Sequence, residues 1–209
     1  MKVKVCGMKY MDNILQVGAL QPDYMGFIFY KNSTRYIANE LIPALSQNIN
    51  KVGVFVDASL KDIEIAVHKY HLQVVQLHGE ETPSFCKSLQ KSLNVKIIKA
   101  FPVNDYFDFS IVRDFEPYVS FFLFDTQGKL PGGNGYSFNW SLLESYPSNK
   151  PFFLSGGISL DSIESLKKFM YSSAAKHCHA IDLNSRFEVI PGVKDVEKLK
   201  AFQQILQTL

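Results

Sequence analysis

Short apolar runs recur along the whole chain: KVKVCG, YMGFIFY, KVGVFVD, VVQLHG, KIIKAFP, FFLFDT, PFFLSGG and HAIDLNS, eight in all. They are rich in Val, Ile and Phe and mostly too short for buried helices, so each predicts a strand covered on both faces. Successive runs begin roughly 20–30 residues apart, the length of one strand-plus-helix unit. In the first run Val3 and Val5 alternate with lysines, as a strand requires. It ends on Cys6-Gly7, which strand grammar does not explain.

Helical spacing fills several of the intervals. After the third run, Leu60, Ile63 and Val67 share one face behind Ser59, a natural N-cap. After the fourth, Thr82 caps a helix with Pro83 at its first position and Phe85, Leu89 and Leu93 as its stripe. After the seventh, Ile163, Leu166 and Met170 follow Ser159. Val196, Leu199, Phe202 and Ile205 form the last stripe. The second connection is weaker, because Pro43 sits near the start of any helix there. Alternating strands and helices predict a parallel α/β sheet. Eight units in 209 residues stand at the lower limit of a closed (β/α)₈ TIM barrel, with a doubly wound open sheet as the rival that periodicity leaves open. No linker or composition break divides the chain, so residues 1–209 are expected to form a single domain.

Composition narrows the partners. A 46% hydrophobic and 20% charged chain is ordinary for a soluble globular protein. A net charge of +2 without basic clusters gives no reason to expect nucleic acid. Three scattered cysteines, Cys6, Cys86 and Cys178, make a poor disulfide framework and fit a reducing compartment. With no visible leader and no apolar stretch near the roughly 20 residues that span a bilayer, no membrane partner is expected and the expected location is the cytoplasm.

In either parallel architecture ligands bind where strands end at their carboxyl side. Those ends carry Cys6-Gly7, Arg35 in the following loop, Asp57, His78-Gly79, Asp125, Gly156-Gly157, and Asp182 with Asn184-Ser185. Cys6 is either a small apolar filler or a reactive thiol. Asp125 is either a loop carboxylate bonded to backbone amides or, within apolar walls that raise its pKa, a proton donor. The long loop after it carries Gly132, Gly133 and Gly135 and is able to close over a ligand. A Gly-Gly after the seventh strand, with Asn184 and Ser185 after the eighth, reads as a phosphate site rather than a plain turn. Arg35 is either a solvated surface residue or a bidentate grip for a substrate carboxylate. His177 and His179 fall at the amino end of the eighth strand, opposite that face, and His68 and His71 have no further ligands nearby, so no metal is expected. No Walker loop or GxGxxG fingerprint follows a strand.

Several motifs then converge. KVCGM, GFIFYKNSTRYI, KVGVFV, VQLHG, FDTQ with GGNG and FNW, SGGIS, and DLNSRFE with PGVKD occur in this order from end to end. In that combination the chain resembles the phosphoribosylanthranilate isomerases, (β/α)₈ enzymes of tryptophan biosynthesis. The resemblance implies a cofactor-free Amadori rearrangement of a phosphorylated small molecule. N-(5-phosphoribosyl)anthranilate would become 1-(2-carboxyphenylamino)-1-deoxyribulose 5-phosphate. Asp125 matches the aspartate that protonates the ribose ring oxygen, and Cys6 the cysteine that takes the proton from C2. Arg35, Gln76, His78 and Asp182 match substrate contacts, and Gly133, Gly156, Gly157, Asn184 and Ser185 the phosphate loops. A monomer or homodimer is implied. Two departures stand out: Arg186 and Phe187 replace a small residue and a glycine, and Asn134 stands where Thr or Ser is common. The competing readings are another phosphate-binding barrel isomerase or epimerase, against which Cys6 argues, and a barrel that binds without catalysis.

Overall fold

The computed structural model describes residues 1–38, 40–127 and 138–208. All eight apolar runs are strands: β1 (Lys2–Val5), β2 (Tyr24–Ile28), β3 (Asn50–Phe55), β4 (Val74–Leu77), β5 (Lys96–Val103), β6 (Phe121–Thr126), β7 (Phe152–Leu154) and β8 (Cys178–Leu183). They pair in parallel in chain order, and β1 pairs with both β2 and β8. That double pairing closes the sheet and excludes the open one.

Alternation along the strands separates two apolar layers. Val52, Val54, Val74, Ile98, Leu123, Phe153 and Ala180 fill the barrel. Val3, Val5, Val75, Leu77, Phe122, Phe124 and Leu154 face outward, under the helices. In β1 it is therefore the valines that meet the outer shell, while Lys4 points inward and is fully buried.

The outer shell has helices α1 (Met11–Ala19), α2 (Leu60–Tyr70), α3 (Pro83–Ser92), α4 (Val112–Phe115), α5 (Ile163–Met170) and α6 (Val196–Gln207). Ser59 and Thr82 accept the expected cap bonds, from the N–H groups of Asp62 and Phe85. Ser159 caps a short 3₁₀ turn that leads into α5. On α3 Leu89 and Leu93 are buried as expected, with Cys86 buried in place of Phe85, and on α6 Leu199 and Phe202 are, with Leu206 in place of Ile205. The ring is thinner than eight full units predict. Among the described residues the second and sixth connections carry no α-helix, and the fifth has only the four-residue α4. Pro43 accounts for the second, since it removes a donor and clashes with the preceding turn.

The two barrel ends differ chemically. At the amino end, Tyr24 and His179 are hydrogen-bonded (2.8 Å), and His179 packs on Phe121 and Phe153 with ring centroids 4.6 and 5.4 Å away. This aromatic plug gives His179 a structural place. At the carboxyl end the lumen turns polar, with Cys6, Gln76, Asp125 and Asp182. An antiparallel hairpin, β9 (Glu188–Ile190) and β10 (Val193–Lys194), follows β8 there.

Candidate active site

Cys6 follows the last residue of β1, its N–H bonded to the Leu183 carbonyl (2.8 Å). Its side chain faces Gly26 of β2, where a Cβ would lie 2.7 Å from Sγ. A glycine is needed at this close approach for the thiol to occupy the lumen. Beneath Cys6, two residues earlier on the same face, Lys4 Nζ bonds Asp182 Oδ1 (2.9 Å). The two are register partners on β1 and β8. Burial works against the Lys4 ammonium, but Asp182 and Cys6 beside it more than offset that, holding it above its usual range. Burial pushes the Cys6 thiol up. Lys4 and Lys194 pull it back, and Asp182 adds to the rise.

Asp125 lies one residue before the end of β6. Its Oδ1 accepts from the Thr126 N–H (2.9 Å), and its Oδ2 lies 3.5 Å from His78 Nε2. The expected apolar walls are thus only half present, because a backbone amide and an imidazole reach the carboxyl. Gln76 Nε2 donates to His78 Nδ1 (2.7 Å), which leaves the ring proton on Nε2, facing Asp125. Gln76 Oε1 is buried with no hydrogen-bond partner among the described residues.

Arg35 is half-buried rather than solvated. Glu188 of β9 holds its Nε and Nη2 in a fork at 2.8 and 2.6 Å. Glu188 also accepts from Lys194 Nζ (2.6 Å) and the Gly192 N–H (3.0 Å), and Lys194 reaches Asn184 Oδ1 (2.8 Å). The Glu188 bonds raise the Arg35 guanidinium further. Burial drives Lys194 down to about 8 despite Glu188. Burial opposes the Glu188 charge, yet Arg35, Lys194 and the Gly192 amide together hold its carboxyl below the usual range.

Gly156 and Gly157 follow β7 with φ of +93° and +67°. A Cβ on Gly156 would strike Thr126 Oγ1 at 2.1 Å, so no side chain fits where the two loops touch. Asn184 and Ser185 lead from β8 into a 3₁₀ turn. Arg186 is exposed at the rim, while Phe187 is buried against Phe202 of α6 (5.2 Å). The bulky Phe187 therefore points into the shell and not into the loop.

One pocket at the carboxyl end gathers Cys6, Arg35, Gln76, His78, Asp125, Gly156, Gly157, Asp182, Asn184, Ser185 and Arg186. Gly133 lies outside the described residues, as do Gly132, Asn134 and Gly135. Asp57 stands apart: it accepts from the Glu80 N–H and steadies the turn after β4. Sequence reasoning missed Lys4, Glu188 and Lys194. Each sits inside a motif quoted above, and only the closed topology reveals that they stand behind the pocket, bonded to its lining residues Asp182, Arg35 and Asn184.

The model of the family described as N-(5′-phosphoribosyl)anthranilate (PRA) isomerase matches residues 3–205, nearly the whole chain. The chain belongs to the phosphoribosylanthranilate isomerase family. That membership makes it an isomerase of the TIM-barrel class. A Parabacteroides distasonis N-(5′-phosphoribosyl)anthranilate isomerase is 43% identical, covering 99% of this chain and 94% of its own. The Phocaeicola vulgatus enzyme is 37% identical over 97% and 96%. Among solved structures, the Thermus thermophilus phosphoribosyl anthranilate isomerase superposes with a TM-score of 0.83 at 28% identity, covering 100% and 99% of the two chains. A phosphoribosyl anthranilate isomerase in complex with reduced 1-(o-carboxyphenylamino)-1-deoxyribulose 5-phosphate matches with a TM-score of 0.74 at 27% identity, over the full length of both.

Proposed function

We propose that this chain performs the Amadori rearrangement of N-(5-phosphoribosyl)anthranilate in tryptophan biosynthesis, with Asp125 as general acid and Cys6 as general base. The observation that carries this reading is the convergence of Cys6, Asp125 and Arg35, from β1, β6 and the loop after β2, on one pocket. Asp125 gives a proton to the ribose ring oxygen as the C1–O bond breaks, and the anilino nitrogen forms the C1 iminium. Cys6 then removes the proton on C2, giving an enolamine that tautomerises to the ketone as C1 is protonated. Two protons are taken up, on the ring oxygen and C1. Two are given up, from C2 and its hydroxyl, so the reaction is an isomerisation and needs no cofactor.

The surrounding groups fit these steps. His78, with its Nε2–H directed at Asp125, orients that carboxyl for the proton transfer. Glu188 occupies one edge of Arg35 and leaves the Nη1–Nη2 edge for the anthranilate carboxylate. Gln76 Oε1 offers an acceptor to a sugar hydroxyl, and Asp182 bounds the floor below it. Gly156, Gly157, Asn184 and Ser185, with Gly133, receive the phosphate, to which Arg186 at the rim adds charge. We further infer a single domain over residues 1–209, working in the cytoplasm as a monomer or homodimer without nucleic acid, membrane or metal. A related Thermotoga maritima enzyme is described as dimeric. No described helix is long and apolar enough to cross a membrane.

The test is the loss of anthranilate fluorescence from freshly generated phosphoribosylanthranilate. Turnover by the purified chain supports the reading. Well-folded protein without turnover, where a family enzyme works, would overturn it.

A further inference from the structure

The fully buried Lys4 is not needed to complete the strand, and the acid–base scheme above does not use it. Its surroundings are a charge cluster inside the barrel. Facing Cys6 are Lys4 on β1, Asp182 on β8, Arg35 after β2, and Lys194 at the end of β10, with Glu188 of β9 joining the last two. The described cations in this cluster number three and the carboxylates two. Burial disfavours any charge here that lacks a counter-charge, and Asp125 and His78 act on Asp182 from across the lumen. Lys4 stands two residues before Cys6 on the same inward face of β1, both are buried, and the thiol feels Lys4 and Lys194 together.

We propose that Lys4 is the positioning residue that sets the ionisation of Cys6, donating to its sulfur and balancing the thiolate's charge, while Asp182 limits that pull by sharing the ammonium. The catalytic consequence rests on the reading of Cys6 as the base; the effect on ionisation does not. Burial opposes the thiolate, and an adjacent ammonium in a low-dielectric site is the means of offsetting it. The Lys4–Asp182 contact then acts as a divider. Removing the cation leaves the thiol to its burial, and removing the carboxylate gives the whole ammonium to the sulfur.

The experiment is alkylation of Cys6 by iodoacetamide as a function of pH, read on the Cys6 peptide by mass spectrometry so that Cys86 and Cys178 do not interfere. In Lys4→Met the midpoint should rise by at least about one pH unit, with Lys4→Arg restoring part of it. In Asp182→Asn it should fall. Shifts of opposite sign from the two ends of one ion pair are not produced by loosened packing, which would expose the thiol in both. If Lys4→Met does not fold, Lys4→Arg and Asp182→Asn still give the sign. Midpoints that stay put, or move the same way in Lys4→Met and Asp182→Asn, would overturn the proposal. The acid limb of the kcat profile separates the two claims. If it follows the alkylation midpoint, Cys6 is the base and Lys4 serves it. If the midpoint shifts and the limb does not, the ionisation proposal stands and the base assignment fails.

Discussion

At the level of single residues, the pocket depends on close approaches that leave no slack. Gly26→Ala would put a methyl 2.7 Å from Cys6 Sγ and push the thiol off its line toward the sugar. Misplacement on the order of 1 Å costs about 100-fold in rate. The variant should therefore lose about tenfold or more in kcat with KM little changed, and steady-state kinetics with an unaltered kcat would show that Sγ has room. Arg35 behaves differently, because Glu188 fixes its plane at 2.6–2.8 Å. Arg35→Ala should raise KM, and Glu188→Ala should do so in weaker form by freeing the guanidinium to rotate. An unchanged KM in both would remove this corner from the site. That Cys6, Asp125 and Arg35 would stand at the carboxyl end of the barrel was legible from sequence, because each ends a strand or lies in the loop just after one. Lys4 was not. A lysine alternating with valines reads as the wet face of a half-buried strand, and only barrel closure turns that face into the lumen.

At the level of elements, loops at the carboxyl ends are held by buried ion pairs as much as by helices. Lys99 of β5 reaches outward to Glu81 (2.8 Å), and Glu81 accepts from the Asp57 and Gly79 amides, tying β3, β4 and β5 together just below His78. Glu81→Ala leaves the Lys99 ammonium buried without a counter-charge, hydrogen-bonded to the Gly79 carbonyl, so stability should fall by about 3–5 kcal/mol in urea unfolding. A loss under about 1 kcal/mol would mean the charge escapes to water. The amino-end plug has its own pH signature. Burial first, and then Lys2 and Lys96, hold His179 below its ordinary 6.5, with Asp23 opposing weakly. A base with a lower folded than unfolded pKa binds fewer protons when folded, so it costs stability as pH falls through 6.5. His179→Gln should flatten that part of the stability profile, and an unchanged acid slope would assign it elsewhere. Caps were the most readable elements: Ser59 and Thr82 each stand one residue before a helix they bond. That the second and sixth connections carry no α-helix among the described residues was less readable, since eight strand periods invite eight helices and only Pro43 and the glycines after β6 warned otherwise.

At the level of the whole molecule, the eight apolar runs contained the strand count and order, but periodicity could not distinguish a closed sheet from an open one. Closure is a property of the β1–β8 pairing, between segments at opposite ends of the chain. The same closure makes the site, since Cys6 and Asp182 come from those two ends and meet Asp125 across the lumen. The family match over residues 3–205 accords with a barrel whose every strand contributes either wall or chemistry. The central claim is that this lumen holds a base at Cys6 and an acid at Asp125. It is tested most directly by kcat on freshly generated phosphoribosylanthranilate for Cys6→Ala and Asp125→Asn, with circular dichroism to verify folding. Each variant should fall by at least about 100-fold, as loss of a general acid or base requires. Near-wild-type turnover in either folded variant would contradict the account.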